Sequence, residues 1–229
     1  MPISKRSDKK MRVLVACEES QRVASAFRAK GHEAYSCDIQ PCSGNHPEYH
    51  ILGDVLKLLK TPCYFHTCDF QLHHIEKWDL IIAHPPCTYL SNVGNRWFNI
   101  ERYGDKARQR YKEREEAAAF FMVFVNAQCD RIAIENPVGY MSTAYRKPDQ
   151  IIQPYDFGNP ARKATCLWLK GLPKLKPTEI VKPQLKLYKS KDGSIKSFSA
   201  DYGSGNAGAS VRRSKTYLGI AAAMADQWG

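Results

Sequence analysis

Cys87 stands in the stretch DLIIAHPPCTYLS (79–91), where an apolar run ends in a histidine and two prolines. A cysteine acts as a nucleophile in its thiolate form, which helix N-termini, backbone donors or nearby cations favour. Two consecutive prolines restrict the backbone and would hold the thiol in one place. The alternative is that Cys87 is a small buried hydrophobe, the usual fate of a cysteine.

Glu135 ends a second apolar run, RIAIEN (131–136). The chain between Cys87 and Glu135 is long enough for a loop, a crossover helix and a return strand. A right-handed crossover would place the two runs parallel in one sheet, with the thiol and the carboxyl at the same edge. Such a pair suits nucleophilic attack on a planar ring with assistance at a ring nitrogen. Glu135 alone would more often be a capped or salt-bridged strand end.

The elements that must position these groups alternate between strands and helices. Besides RIAIEN, strands are predicted at MRVLVAC (11–17), EAYSC (33–37), WDLIIA (78–83) and ATCLWL (164–169). Helices are predicted at 18–31, at about 105 to 128, and in the closing TYLGIAAAMADQW. This alternation predicts an α/β fold, Rossmann-like, with a mostly parallel sheet and helices on both faces. Ligands of such sheets bind outside the carboxyl ends of the strands.

Composition narrows the class of protein. The 229 residues suit one medium-sized domain, and eight cysteines without a signal peptide indicate reduced thiols. The net charge of +11 fits either a solvated basic surface or attraction to a polyanion, most simply nucleic acid. No apolar run approaches the ~18 to 20 residues of a membrane span. We expect a monomeric, cytoplasmic protein that makes no membrane contact.

The chain divides into four predicted parts. Residues 1–10 are a basic tail expected to be disordered, and 11–175 form the core. Residues 176–212 are basic and rich in serine and glycine, which predicts a small irregular, partly mobile lobe that contacts nucleic acid. Residues 213–229 supply a helix that completes the core.

Three segments, taken in order, carry a resemblance to a known family. HPPCTYLS (84–91) looks like the Pro-Pro-Cys motif of the cytosine-5 DNA methyltransferases, and IENP (134–137) is similar to their Glu-Asn-Val motif. FGNPARKA (157–164) resembles their later Tyr-Gly-x-Pro-Gln-x-Arg-x-Arg segment. The chain most resembles compact, phage-type members, which implies the cytoplasm of a bacterium or of a virus-infected host.

The resemblance implies a set of catalytic residues. Cys87 would attack C6 of a cytosine that has been flipped out of the duplex, and C5 would then take a methyl group from S-adenosylmethionine. Glu135 would hydrogen-bond N3 and the exocyclic amine. Arg162 would contact the base or steady the cysteine, and Asn136 would orient the Pro-Pro-Cys loop.

The resemblance also implies where the cofactor and the DNA bind. Asp38 would hold the ribose, Asp54 the adenine amine, and the turn at 17–20 the methionine portion. The implied cofactor-binding residues are Cys17, Glu18, Ser20, Asp38, Ile39, Asp54, Val55, His84 and Pro85. The implied DNA-binding residues are Ser91, Arg96, Lys163, Lys186, Lys189, Arg212 and Arg213.

The chain departs from the family pattern in three places. Its first turn, ACEESQR, lacks the glycines of the family's Phe-x-Gly-x-Gly, so Glu18 or Ser20 would hold the methionine end, or the cofactor carries an altered group. A lysine, Lys163, stands where the family's second arginine is expected. The large target-recognition domain is missing, which leaves 176–212 and the 92–114 region to contact a short site of two to four base pairs.

Other functions stay open at this point. The same chemistry on RNA or single-stranded DNA, transfer of a modified group, or a non-catalytic nucleic-acid binder would each fit the charge. CYFHTCDFQLHH (63–74) has the residue types of a zinc site, but its spacing matches no common zinc pattern, so we expect no metal.

Overall fold

The computed structural model describes residues 10–190, 193–199 and 214–229. Eleven strands lie within these ranges. In chain order they are β1 Arg12–Ala16, β2 Glu33–Asp38, β3 His50–Leu52, β4 Cys63–His66, β5 Leu72–Ile75, β6 Leu80–Ala83, β7 Ile132–Pro137, β8 Gln150–Ile152, β9 Thr165–Lys170, β10 Leu185–Lys189 and β11 Ile195–Ser199. The α-helices are α1 Arg22–Ala29, α2 Ile100–Tyr103, α3 Asp105–Val125, α4 Met141–Ala144 and α5 Leu218–Trp228.

Seven strands form a central sheet in the order β3-β2-β1-β6-β7-β9-β8. The first five pair in parallel, while β9 runs antiparallel to both of its neighbours. The order reverses between β1 and β6, so the carboxyl ends of these two strands flank the crevice where open α/β sheets bind ligands. The predicted Rossmann-like fold with a mostly parallel sheet is confirmed.

Both faces of the sheet are covered, as parallel sheets require. On β1, Val13 and Val15 belong to a buried cluster with Phe27 of α1 and Trp228 of α5. The alternate positions of β1 belong to a second cluster that contains Phe121 and Phe124 of α3. Burying each large side chain contributes about 1.5–3 kcal/mol, so these clusters hold the strand ends in place.

The first helix begins later than predicted. Residues 18–21 form a turn, and α1 begins at Arg22 because Cys17 and Gln21 both adopt left-handed backbone, with φ of 59° and 57°. Such φ values are costly for residues other than glycine and interrupt a regular helix. At the other end of α1, Gly31 has a φ of 85°, as expected for a glycine that follows the last helical turn.

Two antiparallel hairpins lie in segments for which no strand was predicted. The pair β4–β5 spans the region of the Cys/His stretch, and β10–β11 lies within the predicted irregular lobe. The prediction of irregular structure in that lobe was wrong at β10 and β11. The strands are short and interrupted by polar residues, so cross-strand pairing rather than a clear apolar alternation defines them.

Parts of three predictions lie outside the described residues. These are residues 1–9 of the basic tail, residues 191–192 and 200–212 of the predicted lobe, and Arg212 and Arg213 of the implied DNA-binding set. In the ranges that are described, no helix has both the length and the apolar character needed to cross a bilayer.

Candidate active site

The ends of β6 and β7 bring the two predicted catalytic groups to one edge. The strands are parallel neighbours with Ala83 opposite Ile134, so His84 and Glu135 occupy the next positions of the same ladder. The backbone N–H of His84 donates to the carbonyl of Ala16 at 2.9 Å, which continues the β1–β6 pairing by one residue. Cys87 follows on an exposed loop. The predicted neighbourhood of the two strands is confirmed.

Glu135 forms an ion pair with His84. Nδ1 of His84 lies 2.8 Å from Oε2 of Glu135, and the two side chains are only 11% and 13% exposed. Burial by itself raises the pKa of Glu135, but the charge and hydrogen bond of His84 outweigh burial and lower it to about 2. For His84, burial lowers the pKa, but Glu135 outweighs it and the net pKa is raised.

Two further residues surround the carboxylate of Glu135. The hydroxyl of Thr216, just before α5, donates to Oε2 at 3.4 Å, and Thr216 is itself buried. The charge of Lys163 also lowers the pKa of Glu135. Lys163, which the resemblance implied as a DNA contact, therefore lies close enough for its charge to act on Glu135. Thr216 was not anticipated, because the signal in its segment was only the apolar face of a helix.

Asn136 ties the two strand ends together. Its side-chain amide donates to the carbonyl of Pro85 at 2.8 Å, and Asn136 is 2% exposed. This hydrogen bond links β7 to the Pro-Pro-Cys loop, as the resemblance implied. Its carbonyl oxygen Oδ1 is buried and has no hydrogen-bond partner within the described residues. Pro85 is buried, whereas Pro86 and Cys87 are exposed, so the thiol extends from an anchored base.

The loop after Cys87 is also held by the loop after β7. The N–H of Tyr140 donates to the carbonyl of Leu90 at 2.7 Å, and the N–H of Asn92 donates to the carbonyl of Val138 at 3.2 Å. A Cβ atom on Gly139 would lie 1.9 Å from the carbonyl oxygen of Leu90. Only glycine permits this approach. The glycine two residues after IENP was the available signal for this contact.

Two arginines of α3 hold the same loop from the other side. The guanidinium of Arg114 lies 3.3 Å from the centre of the Phe98 ring, and its Nε donates to the carbonyl of Tyr89 at 3.0 Å. Arg110 donates to the carbonyl of Thr88 at 3.2 Å. Sequence reasoning missed both arginines, although their i,i+4 spacing on a helix places them on one face.

The turn after β1 is closed by its own side chain. Glu18 is 4% exposed, and its carboxylate accepts from the N–H groups of Val23 at 2.7 Å and Ala24 at 3.2 Å. Burial raises the pKa of Glu18, although those two hydrogen bonds and the charge of His84 oppose the rise. Both oxygens of Glu18 therefore cap α1. Ser20 is also buried.

Glu19 and Lys215 lie beside this turn and were not anticipated. Nζ of Lys215 lies 3.6 Å from Oε1 of Glu19, and Nζ also donates to the hydroxyl of Ser43 at 2.7 Å. Oε1 of Glu19 is buried and accepts no hydrogen bond from the part of the chain that is described. The pair places one acid and one base next to the first strand end.

The predicted ribose and adenine residues lie at the ends of β2 and β3. Asp38 is the last residue of β2, and its carboxylate accepts from the N–H of Gln40 at 2.9 Å. Asp54 follows β3 and accepts from the N–H of Leu56 at 3.0 Å. The N–H of Gly53 donates to the carbonyl of Asp38 at 2.9 Å, which joins the two strand ends.

The residues that follow Asp38 and Asp54 differ in exposure. Ile39 is 79% exposed beside Asp38, whereas Val55 is buried. Burial and the charges of Asp38 and Asp54 raise the pKa of Cys17. The thiol of Cys17 is therefore protonated at neutral pH, which suits a wall of the crevice rather than a nucleophile.

The implied nucleic-acid contacts divide between two surfaces. Ser91 accepts from the N–H of Val93 at 3.3 Å and begins the 3-10 turn Asn92–Phe98, on which Arg96 is exposed. The neighbouring aromatic residues are split, since Trp97 is 42% exposed and Phe98 is buried. Lys186 and Lys189 are exposed on β10.

Arg162 connects the core to the β10–β11 hairpin. Its guanidinium donates to the carbonyl and hydroxyl oxygens of Ser197 at 3.0 and 2.9 Å, and its backbone N–H donates to the hydroxyl of Ser199 at 3.0 Å. The resemblance implied a contact with the base or the cysteine. These hydrogen bonds join Arg162 to the hairpin, and the implied contact with the base or the cysteine stays a prediction.

The Cys/His stretch forms hairpin contacts. His73 lies 3.0 Å from both the hydroxyl of Tyr35 and the hydroxyl of Thr67, and His74 stacks on Tyr64. No group of three or more His, Cys, Asp or Glu side chains arranged to hold a metal ion occurs in the residues that the structure describes.

Comparisons with known proteins find a distant likeness. No family model and no curated protein sequence matches the chain. Among solved structures, the methyltransferase EhMeth of Entamoeba histolytica matches with 13% sequence identity and a TM-score of 0.45. The match covers 77% of this chain and 58% of EhMeth. A likeness at this level says nothing about what this chain acts on.

Proposed function

We propose that the chain is an S-adenosylmethionine-dependent methyltransferase that methylates C5 of cytosine in DNA. The observation that carries the proposal is the edge formed by β6 and β7. There an exposed cysteine follows one strand, a buried carboxylate ends the next, and Asn136 ties the two together through the carbonyl of Pro85. A nucleophile and a hydrogen-bonding carboxylate at one edge suit addition to the C6 of a cytosine ring.

The protein's own groups then act in sequence. The Sγ of Cys87 bonds to C6, which pushes electron density towards N3 and makes C5 nucleophilic. Glu135 accepts from the exocyclic amine and orients the ring, while the Asn136–Pro85 bond keeps the thiol in register. S-adenosylmethionine, when bound, supplies the methyl group that C5 receives. Loss of the C5 proton and expulsion of Cys87 restore the aromatic ring.

The turn after β1 suits S-adenosylmethionine better than it suits a dinucleotide. In dinucleotide-binding sheets the helix after β1 receives a pyrophosphate at its N-terminus. Here the carboxylate of Glu18 already occupies the N–H groups of Val23 and Ala24. S-adenosylmethionine has no phosphate, so this cap does not obstruct it.

Charge and shape support the same assignment. A sulfonium cation is attracted to carboxylates, and Glu19 lies beside this turn with its Oε1 buried, 3.6 Å from Nζ of Lys215 and without a hydrogen-bond partner among the described residues. Asp38 ends the second strand, where a carboxylate suits ribose hydroxyls. The exposed Ile39 beside it offers an apolar surface for a flat base.

The proposed substrate is nucleic acid because exposed basic residues lie on the hairpin and on the turn that follows Cys87. Lys186 and Lys189 are exposed on the hairpin, and Arg96 with Trp97 is exposed on the turn that follows Cys87. Phosphates would bind the lysines. A flipped cytosine costs a few kcal/mol of lost stacking, and an exposed aromatic ring can offset part of this cost.

Expression in a host without cytosine methylation tests the proposal. Wild type, Cys87→Ser and Cys42→Ser would be compared by mass spectrometry of nucleosides from DNA and RNA digested separately. Cys42 is a half-exposed loop cysteine without an assigned role and serves as the control. We expect 5-methyldeoxycytidine with wild type and Cys42→Ser, and a loss of several orders of magnitude with Cys87→Ser.

The other outcomes identify the alternatives. Modified cytidine found only in RNA would show that the substrate is RNA and not DNA. A different mass added to deoxycytidine would show that the transferred group is not a plain methyl group. No modified pyrimidine from folded wild type, together with DNA binding unchanged by Cys87→Ser, would contradict the enzyme and favour a binding protein.

A further inference from the structure

His84 occupies an unusual position for a histidine. It stands at the end of β6, and its Nδ1 lies 2.8 Å from Oε2 of Glu135. A carboxylate oxygen at this distance requires a hydrogen on Nδ1. Nε2 of His84 is buried and has no hydrogen-bond partner among the residues that the structure describes. The imidazole therefore donates to Glu135 through Nδ1, and its Nε2 is left without a hydrogen-bond partner among the described residues.

The proposed reaction needs a proton at this place. When Cys87 adds to C6, the electron pair displaced from the ring is best received if N3 gains a proton. N3 of cytosine is an acceptor, and an ionised carboxylate cannot donate to it. With a pKa of about 2, Glu135 is ionised in the free protein at neutral pH. Another group must hold the proton until the addition step.

Resting on the proposed function, we propose that His84 holds this proton and delivers it through the carboxyl group of Glu135 to N3 as Cys87 adds to C6. The Nδ1–H bond of His84 breaks, a proton passes to the Glu135 carboxylate, and an N3–H bond forms. When the C5 proton is lost and Cys87 leaves, N3 returns its proton by the same route. No further reactant is consumed. His84 acts through Glu135 and is a positioning residue.

The charges around His84 support this role. Burial opposes the imidazolium, but Glu135 on β7 and the carboxylate of Glu18 in the turn after β1 favour it. Lys163, which precedes β9, opposes it. The net pKa of His84 is raised above the ordinary value of 6.5. The imidazolium of His84 therefore persists to higher pH than that of an ordinary histidine and is lost as the pH rises through that raised value.

The first test needs no catalysis. The full chain, with ¹⁵N-labelled histidines, would be titrated by NMR from pH 5 to 9 as wild type and as Glu135→Gln. His84→Asn assigns the His84 signal among the seven histidines. We expect a midpoint above 6.5 in wild type and below 6.5 in Glu135→Gln, because burial then acts without the carboxylate. Unchanged His73 signals would show that the variant is folded. An equal midpoint in both proteins would overturn the proposal.

The second test measures the pH dependence of kcat for wild type, His84→Asn and His73→Asn. In wild type and in His73→Asn, kcat should fall about tenfold per pH unit above the midpoint found by NMR. His84→Asn should have a lower kcat without this fall and a KM for DNA within about twofold. An alkaline fall that persists in His84→Asn would overturn the proton role. A normal NMR titration without product from any protein would overturn the proposed function, and the delivery step with it.

Discussion

The edge formed by β6 and β7 and the β10–β11 hairpin are built in opposite ways. At the edge, the side chains of His84 and Glu135 are buried and bonded to each other. On the hairpin, every residue of β10 is exposed, and the two strands form a sheet of their own. The edge pairs a carboxylate with an imidazole, whereas β10 carries exposed lysines at positions 186 and 189.

This contrast indicates that the two regions have different roles, with the reaction at the edge and the binding of a polyanion at the hairpin. Charges removed from water act strongly on one another, so the buried edge can shift the pKa values of single groups. Exposed charges are screened and suit many weak contacts along a polyanion. Arg162 donates to Ser197 of the hairpin, and the charge of the adjacent Lys163 acts on Glu135 at the edge. Changes at the edge should therefore act on the rate, and changes on the hairpin on affinity.

Among the changes that test this contrast, the largest effect is expected from Gly139→Ala. The added methyl group would meet the carbonyl oxygen of Leu90 at 1.9 Å and force the Cys87 loop away from β7. Overpacking of this kind costs about 1–3 kcal/mol. We expect kcat to fall by about 100-fold, because small misplacements of a nucleophile are costly, while thermal unfolding remains cooperative.

Gly53→Ala is the matched control, since a Cβ there meets nothing within 4 Å. It should leave both the melting temperature and kcat close to those of wild type. A Gly139→Ala protein with wild-type kcat would show that the contact between the two loops does not position the thiol.

Arg162→Gln should have an intermediate effect and tests how the two regions are joined. The variant loses two hydrogen bonds to Ser197, each worth about 1 kcal/mol, and DNA affinity should fall about tenfold. A double-mutant cycle with Ser197→Ala, read out as the dissociation constant for DNA, measures their coupling. If Arg162 acts through the hairpin, the double variant should bind better than the sum of the two losses predicts. Fully additive losses would indicate that Arg162 touches the nucleic acid by itself.

The smallest effects are expected from Lys186→Ala and Lys189→Ala. Each should weaken DNA binding by about 3- to 10-fold and reduce the salt dependence of binding by about one unit of slope. The value of kcat should not change. Lys77→Ala removes an equal charge near the amino ends of the strands, where Lys77 pairs with Asp130, and should leave the slope unaltered. An unchanged slope for both hairpin variants would remove the hairpin from the binding surface.

Much of this arrangement could be predicted from local pattern. The strands at β1, β2, β6 and β7 follow from apolar runs with polar ends, and the long helix α3 follows from its length. Since parallel strands end at one edge, the proximity of Glu135 to the Pro-Pro-Cys loop could be predicted as well. The hairpins could not, because β4 and β10 gain their hydrogen bonds only from a partner strand.

The sequence by itself determined the residue types at the strand ends, and with them the proposed chemistry. Only the tertiary structure decided which partner each side chain takes. The carboxylate of Glu18 caps α1, His84 pairs with Glu135, and Gly139 allows the loops after Cys87 and after β7 to come into contact. The physical reason is that a hydrogen bond or ion pair forms or fails with differences of a few tenths of an ångström in the distance between two groups, and these groups are far apart in the chain. Periodicity and spacing carry no information at that scale.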